Sequence, residues 1–242
     1  MHPPPYIELH SHSAFSFLDG ASAPEELAEQ AAALGYPAFA LTDHDGLSGS
    51  LAFAHAAKEA GVRPITGAEL TLTCGSHLTL LVETDAGYAN LCRLITLAHA
   101  ATRPPPDRRA IPPALDPAHL DSHATGLVCL TGCARSGMIP RLVAADRTRD
   151  AEAAARRLVQ TFGPGNVYVE LQRPRTRGDR TLLRHLTQLA ELLGLPIIAT
   201  GDVHAHHPRR AFLQDAFVAI RHHLTLDGSD GERRGNRDAV MR

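Results

Sequence analysis

Short apolar runs alternate with amphipathic stretches along most of the chain, and this alternation limits the folds that it can adopt. Runs such as Pro37 to Leu41 and Pro196 to Thr200 have the length of strands, and a segment such as Ser48 to Ala60 has helical periodicity. Strand followed by helix, repeated about six or seven times, is typical of a parallel β/α barrel. We therefore predict an α/β barrel. An open doubly wound sheet is the alternative, although no glycine-rich nucleotide-binding motif supports it.

The length and composition fit one domain with a large core. The chain has 242 residues, of which 44% are hydrophobic, and we expect the domain to cover residues 1–226 and a Gly-, Asp- and Arg-rich tail to be disordered over residues 227–242. The net charge of -2 argues against non-specific binding of polyanions. Without an apolar segment long enough to span a membrane or a signal peptide, we expect a cytoplasmic protein with no membrane partner and with reduced cysteines.

The first apolar run ends in Glu8-Leu9-His10-Ser11-His12. Side chains two apart on a strand point to the same side, so His10 and His12 would direct both imidazoles to one place. Two surface histidines at this spacing look the same in a sequence. The motif therefore predicts a metal site only if other ligands lie beside it.

Further residues of ligand type follow the predicted strands. Because the C-terminal ends of barrel strands build one mouth, these distant positions are expected to converge there. The residues at or just after strand ends are His10, His12, His44, Glu69, Cys133, Asp202 and His204. Asp19 and His77 bring the candidates to nine. Buried imidazoles and carboxylates without a cation would be costly, so we predict a divalent metal centre.

The ligand types narrow the choice of metal. Nine candidates are too many for one tetrahedral zinc and suffice for two or three ions bridged by a carboxylate such as Glu69. Imidazoles, carboxylates and one thiolate favour zinc or manganese, with iron as a further candidate, over magnesium or calcium.

Plainer explanations exist for several of these residues. Buried polar groups and chance histidines could account for part of the set, and Cys133 could be a small buried hydrophobe, as we expect for Cys129. His77 precedes its strand, and Asp19 lies in a loop where it could be a turn residue. Asp43 and Asp45 could orient His44 or simply form the turn before Gly46.

Motifs along most of the chain together carry a resemblance to a known family. They are Ile7 to Ser13, Leu18 to Gly20, Leu41 to Gly46, Gly67 to Glu69, Thr79 to Glu83, Gly87 to Leu91, Leu130 to Cys133, Asn166 to Gln172, Ala199 to His204, Leu213 to Asp215 and Arg221 to Leu226. In this order they resemble the PHP (polymerase and histidinol phosphatase) family. More narrowly, they are similar to the N-terminal PHP domain of bacterial C-family DNA polymerases, closest to the error-prone branch. The resemblance covers roughly residues 6–226.

The resemblance implies a fold and three metal positions. The fold would be a distorted (β/α)7 barrel of PHP type with its active site at the C-terminal ends of the strands. One ion would be held by His10, His12, Glu69 and Asp202, which would be the catalytic residues. A second would be held by Glu69, His77 and Cys133, and a third by Asp19, His44 and His204. Every position that we can match carries a ligand type, which implies a metal-loaded pocket.

The resemblance also implies a function. We expect phosphodiester hydrolysis by a hydroxide that several metal ions activate, acting as a 3′→5′ exonuclease on a DNA 3′ end. Other polymerase domains or repair-polymerase accessory proteins would be its partners, and no polymerase active site lies in this chain. Two alternatives remain open. One is a small-molecule phosphatase of the histidinol-phosphate type, and the other is a non-catalytic, metal-stabilised docking domain.

Overall fold

A computed structural model describes residues 6–102, 111–234 and 239–241, in which six strands alternate with seven α-helices. The strands are β1 (Ala38–Leu41), β2 (Arg63–Thr71), β3 (His77–Val82), β4 (Leu127–Leu130), β5 (Val167–Gln172) and β6 (Ile197–Thr200). The helices are α1 (Pro24–Ala33), α2 (Ser50–Glu59), α3 (Asp85–Ala98), α4 (Met138–Ala144), α5 (Thr148–Phe162), α6 (Asp179–Leu193) and α7 (Ala211–Arg221). Residues 103–110, part of a proline-rich stretch of the sequence, lie outside the described residues.

The six strands form one sheet in chain order, and one strand runs against the others. The pairs β1–β2, β4–β5 and β5–β6 are parallel, as predicted, but β3 is antiparallel to both β2 and β4. The physical reason is the link between β2 and β3, because only five residues separate Thr71 from His77. A connection this short can join antiparallel strands, whereas a parallel crossover needs a dozen or more residues. The expectation of an all-parallel sheet is therefore wrong at β3.

The N-terminal segment closes the sheet into a distorted barrel. The first apolar run and the His10 and His12 pair that ends it do not form a regular strand but make only isolated parallel bridges, from Glu8 to Phe39 and from Ser11 to Val203. The amide of Ala40 donates to Glu8 O at 2.9 Å, and the amide of His12 donates to Val203 O at 2.7 Å. The segment thus lies between β1 and the residues that follow β6. It takes the place of a seventh strand in the barrel, which confirms a distorted β/α barrel.

The helices cover the sheet with their apolar faces. The larger core cluster joins β2 to β5 with α3 to α6, and a second cluster packs α1 and α2 on β1 around Phe39 and Phe53. At the start of α1, the side chain of Glu26 accepts a hydrogen bond from the amide of Ala23, the residue before the helix. All four cysteines are free, and among the described residues no helix has both the length and the hydropathy to cross a membrane.

In the described part of the C-terminal segment, residues 227–234 and 239–241, some side chains pack against the barrel, although the composition led us to expect disorder. Val240 and Met241 are buried, and Val240 forms a parallel bridge with Ala205. The amide of His204 donates to Ala239 O at 2.9 Å. In the described part of this segment, two apolar side chains and these backbone bonds offset the low hydrophobicity that suggested disorder. The segment lies against the end of the barrel where β6 ends.

Candidate metal centre

The two pairs of residues predicted from the first and last strands lie together at the barrel mouth. The bridge between Ser11 and Val203 sets His10 and His12 beside Asp202 and His204. Asp202 Oδ1 lies 3.5 Å from His12 Nε2 and 3.9 Å from His10 Nε2. The ring centroids of His12 and His204 are 4.4 Å apart. The parallel bridge holds the two segments side by side, but Asp202 follows β6 with a φ of 50°, so a left-handed turn rather than strand alternation sets the position of its carboxylate.

Glu69 lies near the end of β2 at the centre of the cluster. Its Oε2 lies 2.8 Å from His10 Nε2, and its Oε1 lies 3.1 Å from His44 Nδ1 and 2.5 Å from His77 Nδ1. The loop after β1 continues alongside β2, with His44 bridged to Glu69, and so carries the His44 ring to this carboxylate. One glutamate therefore contacts imidazoles from three different segments, as a bridging ligand would.

The position of His77 follows from the direction of β3. In a parallel strand a residue at the start would lie at the bottom of the barrel. Because β3 runs antiparallel to β2, His77 pairs with Thr71 at the end of β2 and reaches the mouth. Spacing alone could not show this.

Asp19 and His44 complete another side of the cluster. Asp19 Oδ2 lies 2.9 Å from His44 Nε2 and 3.4 Å from His204 Nε2. The short turn from Ser13 to Gly20, in which Leu18 has a φ of 56°, folds Asp19 back over the mouth. Asp19 is thus a member of the cluster rather than only a turn residue.

Cys133 is buried after β4, but it contacts serine rather than another candidate ligand. Its Sγ lies 3.1 Å from Ser136 Oγ, which in turn lies 3.1 Å from His77 Nδ1. Burial, with Glu69 and Asp202 nearby, raises the pKa of the Cys133 thiol to about 11. The thiol is therefore protonated at neutral pH in the absence of a metal ion.

The structure groups the candidates somewhat differently from the sets implied by the resemblance. Three clusters of described residues have ligand atoms within 4.8 Å of one another: His10, His12 and Asp202; His44, Glu69 and His77; and His12, His44 and His204. Eight of the nine candidates lie in these clusters or, for Asp19, in contact with one. Cys133 belongs to none of them, although it is close enough to affect the same charges.

The hydrogen bonds made by the candidate ligands show whether a divalent cation fits between their buried atoms. Ser16 Oγ donates to Asp43 Oδ1 at 2.7 Å, so it accepts from His12 Nδ1 at 3.3 Å. His12 Nε2 therefore carries a lone pair, buried and without a hydrogen-bond partner, that faces Asp202. Both oxygens of Glu69 and Nε2 of His10 also lack aligned hydrogen bonds, although they lie close together. Acceptors that face each other in a buried space fit a divalent cation between them.

The charges at the mouth are balanced by protons when no ion is bound. Burial, with His44 and His204 nearby, lowers the pKa of His12 to about 3. Burial alone would also lower the pKa of His44, but Glu69 and Asp19 raise it well above its usual value. Burial opposes ionisation of Asp202, yet Arg234 and His204 hold its pKa well below its usual value. The carboxylates are ionised and His12 is neutral, which are the forms that bind metals, whereas His44 would have to release its proton before an ion bound to it.

Glu170 on β5 is a residue of the centre that the sequence did not single out. It is 1% exposed, and its Oε1 accepts from His10 Nδ1 at 2.7 Å and from Gln172 Nε2 at 2.7 Å. A carboxylate accepting at Nδ1 fixes the ring so that Nε2 faces Glu69. The available signal was a glutamate between apolar residues of a buried strand, because Val169 on one side is fully buried.

We expect Glu170→Gln to lower metal affinity by about 10- to 100-fold, the usual effect of removing a residue that orients a metal-ligating histidine. The amide would weaken the bond to His10 and disturb the bonds from Gln172 and Thr200. Calorimetric titration with Mn²⁺ measures the change. Glu191→Gln, on α6, is the control, and an affinity in Glu170→Gln equal to that of the control would contradict the orienting role.

The two aspartates that flank His44 do not contact its ring. Asp43 accepts from Ser13 and Ser16 and so orders the turn after His12. Asp45 accepts from the backbone and side chain of Thr71 at 2.8 Å each. Asp43 therefore acts on the centre only through Ser16. Cys129 is fully buried in the core, as we expected.

A cavity of about 970 Å³ opens beside the centre, and Asp202 forms part of its wall. Its lining includes arginines from the loop after β4, the loop after β5 and the C-terminal segment. These are Arg135, Arg173, Arg177, Arg233 and Arg234. Acidic side chains such as Asp146 and Asp179 also line it, so its charge is mixed. The cavity has room for a ligand of nucleotide size next to the metal candidates.

The fold and the site together define a class: a distorted β/α barrel with a histidine- and carboxylate-rich metal centre at its mouth. The PHP domain model matches residues 8–174, and the chain belongs to the PHP domain family. Solved structures agree on the fold. A Chromobacterium violaceum amidohydrolase with bound sulfate and no metal is 19% identical, with a TM-score of 0.54, over 82% of this chain and 87% of its own. A Bacteroides vulgatus two-domain protein containing a predicted PHP-like metal-dependent phosphoesterase is 16% identical, also with a TM-score of 0.54, over 82% of this chain and 52% of its own.

Curated relatives are polymerases. The error-prone DNA polymerase of Symbiobacterium thermophilum is 44% identical over an alignment 238 residues long, which covers 94% of this chain and 22% of that polymerase. The error-prone DNA polymerase of Mycobacterium bovis is 40% identical over 93% of this chain and 21% of its own. The DNA polymerase III subunit alpha of Treponema pallidum is 33% identical over 89% of this chain and 19% of its own. The chain thus spans about a fifth of the relatives that it matches.

Proposed function

We propose that this chain is a metal-dependent phosphoesterase domain that hydrolyses phosphodiesters, with 3′→5′ exonuclease action on DNA. The observation that carries the proposal is the convergence of buried ligand atoms at the mouth: His10 Nε2 lies 2.8 Å from Glu69 Oε2 and 3.9 Å from Asp202 Oδ1, and His12 Nε2 lies 3.5 Å from Asp202 Oδ1. Such a set holds cations, and a centre of two or more divalent ions is suited to phosphoryl chemistry. The domain would comprise residues 1–226 together with the C-terminal segment that lies against it.

His10, His12, Glu69 and Asp202 would hold the ions nearest the reacting phosphate, and zinc or manganese fits these ligands best. Divalent ions bound here would supply a nucleophilic hydroxide near neutral pH and neutralise charge on the phosphoryl group. The chain's own residues supply the rest. Glu170 orients His10, and Asp43 with Ser16 keeps Nδ1 of His12 protonated so that its Nε2 stays available.

DNA is the favoured substrate because the relatives are DNA polymerases and because arginines line the cavity beside Asp202. Arg173 and Arg177 follow β5, where they could contact the phosphates of a strand whose 3′ end lies at the centre. Other domains of a polymerase or a repair-polymerase accessory protein would then be the partners. Such a DNA substrate would place the domain in the cytoplasm.

If this loop guides DNA, Arg173→Gln with Arg177→Gln should weaken oligonucleotide binding by about 10-fold at low salt and much less at high salt. Each phosphate contact contributes through counterion release, so removing contacts lowers the slope of log affinity against log salt. Fluorescence anisotropy at several salt concentrations gives both slopes. Arg149→Gln with Arg156→Gln, on α5, is the control with the same change of charge. An equal loss at every salt concentration would contradict a role in phosphate binding.

A substrate panel tests the proposed function. Metal-loaded protein should release nucleotides from a 3′-mismatched primer, and the double variant His10→Ala, His12→Ala should not. Faster hydrolysis of histidinol phosphate and other small phosphomonoesters, with no release from DNA, would instead identify a small-molecule phosphatase. Metal binding without hydrolysis of any ester would contradict the enzymatic proposal and favour a docking domain stabilised by metal.

A further inference from the structure

The guanidinium of Arg234 lies among the candidate metal ligands. Its Nη1 donates to Asp202 Oδ2 at 2.8 Å, and its Nη2 lies 2.6 Å from His204 Nε2. The arginine belongs to the C-terminal segment, which is fixed to the barrel by the backbone bond from His204 to Ala239. Arg234 is only 20% exposed in its side chain. A partly buried cation from the chain itself therefore occupies one side of the centre.

The contact with His204 excludes a metal ion from the same nitrogen. His204 Nδ1 lies 2.8 Å from the carbonyl oxygen of Asp202, to which it can only donate. In the neutral ring, Nε2 then carries the lone pair, and Arg234 donates to it. A lone pair that accepts this hydrogen bond is not available to coordinate an ion. Arg234 and an ion bound by His12, His44 and His204 are thus alternative occupants.

The two sides of the centre differ in what balances their carboxylates. On one side, Asp202 contacts Arg234, and Asp19 Oδ2 lies 3.5 Å from Arg221 Nη1. On the other side, the structure pairs Glu69 with imidazoles, which are those of His10, His44 and His77. A divalent ion beside Asp19 and His204 would be next to a fixed guanidinium charge, whereas ions beside Glu69 would not.

We propose that Arg234 takes the place of a third metal ion, so that the protein binds two divalent ions tightly and Arg234 supplies the remaining positive charge at the mouth. This inference rests on the proposed function, because it assumes that the Glu69 side binds ions. Asp202 then lies between an ion on its Oδ1 side, near His10 and His12, and the guanidinium on its Oδ2 side. The third ligand set stays intact but is filled by arginine.

Metal stoichiometry tests the proposal without measuring activity. Protein stripped with chelator and titrated with Mn²⁺ should bind two ions per chain. Arg234→Gln should bind a third, with an affinity at least about 10-fold higher than any third binding by the unchanged protein. Arg234→Lys, which keeps the charge, should bind two. Arg233→Gln is the matched control, because Arg233 lies on the same segment but its Nη1 contacts Asp215 at 3.6 Å.

The outcomes separate this inference from the proposed function. Three ions of similar affinity in the unchanged protein would overturn the role of Arg234 while leaving the metal centre intact. Two ions in Arg234→Gln, or a third ion in Arg233→Gln or Arg234→Lys as well, would also overturn it. No ions in the unchanged protein would contradict the metal centre itself, and with it the proposed function.

Discussion

Changing Glu69 to glutamine is expected to reduce phosphoester hydrolysis by about 100-fold or more, because one carboxylate contacts ligands from three segments of the barrel. Both oxygens of Glu69 face imidazole nitrogens, those of His10, His44 and His77. An amide would place N–H groups where one of these contacts needs an acceptor, and it would remove the charge that holds the ions together. Initial rates on a labelled primer and on an activated phosphodiester measure the loss.

Glu83→Gln is the control for this variant. Glu83 follows the opposite end of β3 and is exposed, so its change leaves the mouth intact. Circular dichroism should show that both variants fold. Hydrolysis by Glu69→Gln at the rate of the control would contradict a bridging role for this carboxylate.

Removing the metal should lower the melting temperature by roughly 5–10 °C. An ion at about 100 times its Kd stabilises the folded state by about 2.7 kcal/mol, and for a chain of this size about 1 kcal/mol corresponds to roughly 2–4 °C. The physical reason is that bound ions would join the N-terminal segment, β2 and the residues after β6, because His12, Glu69 and Asp202 from these three segments meet at the mouth. Scanning calorimetry before and after chelation, and after adding Mn²⁺ back, measures the shift.

A variant with an unrelated histidine removed shows whether the shift comes from the centre. His119→Ala, at an exposed position outside the mouth, should retain the full shift, and His12→Ala should lose most of it. An unchanged melting temperature after complete removal of metal would contradict ions as part of the folded structure.

Much of the fold could be predicted from periodicity, and the exceptions have physical causes. The strands Ala38–Leu41 and Ile197–Thr200 lie within the predicted runs Pro37 to Leu41 and Pro196 to Thr200, because each combines a clear apolar pattern with a proline boundary. The direction of β3 depends on the five residues before it, a matter of connection length rather than apolar pattern. The N-terminal segment that bridges β1 and the residues after β6 is too short and irregular to form a regular strand, although it closes the barrel.

The sequence predicts the part of the candidate site in which residues of metal-ligand type follow the predicted strands. His10, His12, Asp202 and His204 lie together as expected for residues at the barrel mouth, but a bridge between Ser11 and Val203 and the left-handed backbone of Asp202 place them, rather than regular strand alternation. Glu170 was missed because it lies within β5 rather than after it. Its role is visible only from its contact with His10.

Arg234 shows a different limit of prediction. Its surroundings in the sequence are rich in Gly, Asp and Arg and indicate disorder. The contact of Arg234 with Asp202 and His204 joins residues about thirty positions apart, and no local sequence pattern predicts it. Low hydrophobicity predicts weak burial of apolar surface, but it does not describe the attraction between a guanidinium and a buried carboxylate.

The central claim is that the mouth of the barrel binds divalent metal ions through the His10 and His12 pair. Elemental analysis of purified protein, unchanged and with His10→Ala and His12→Ala, tests this most directly. We expect about two zinc or manganese ions per chain in the unchanged protein and fewer than one in the double variant. The same metal content in both proteins, or no stoichiometric metal in the unchanged protein after loading, would contradict the claim.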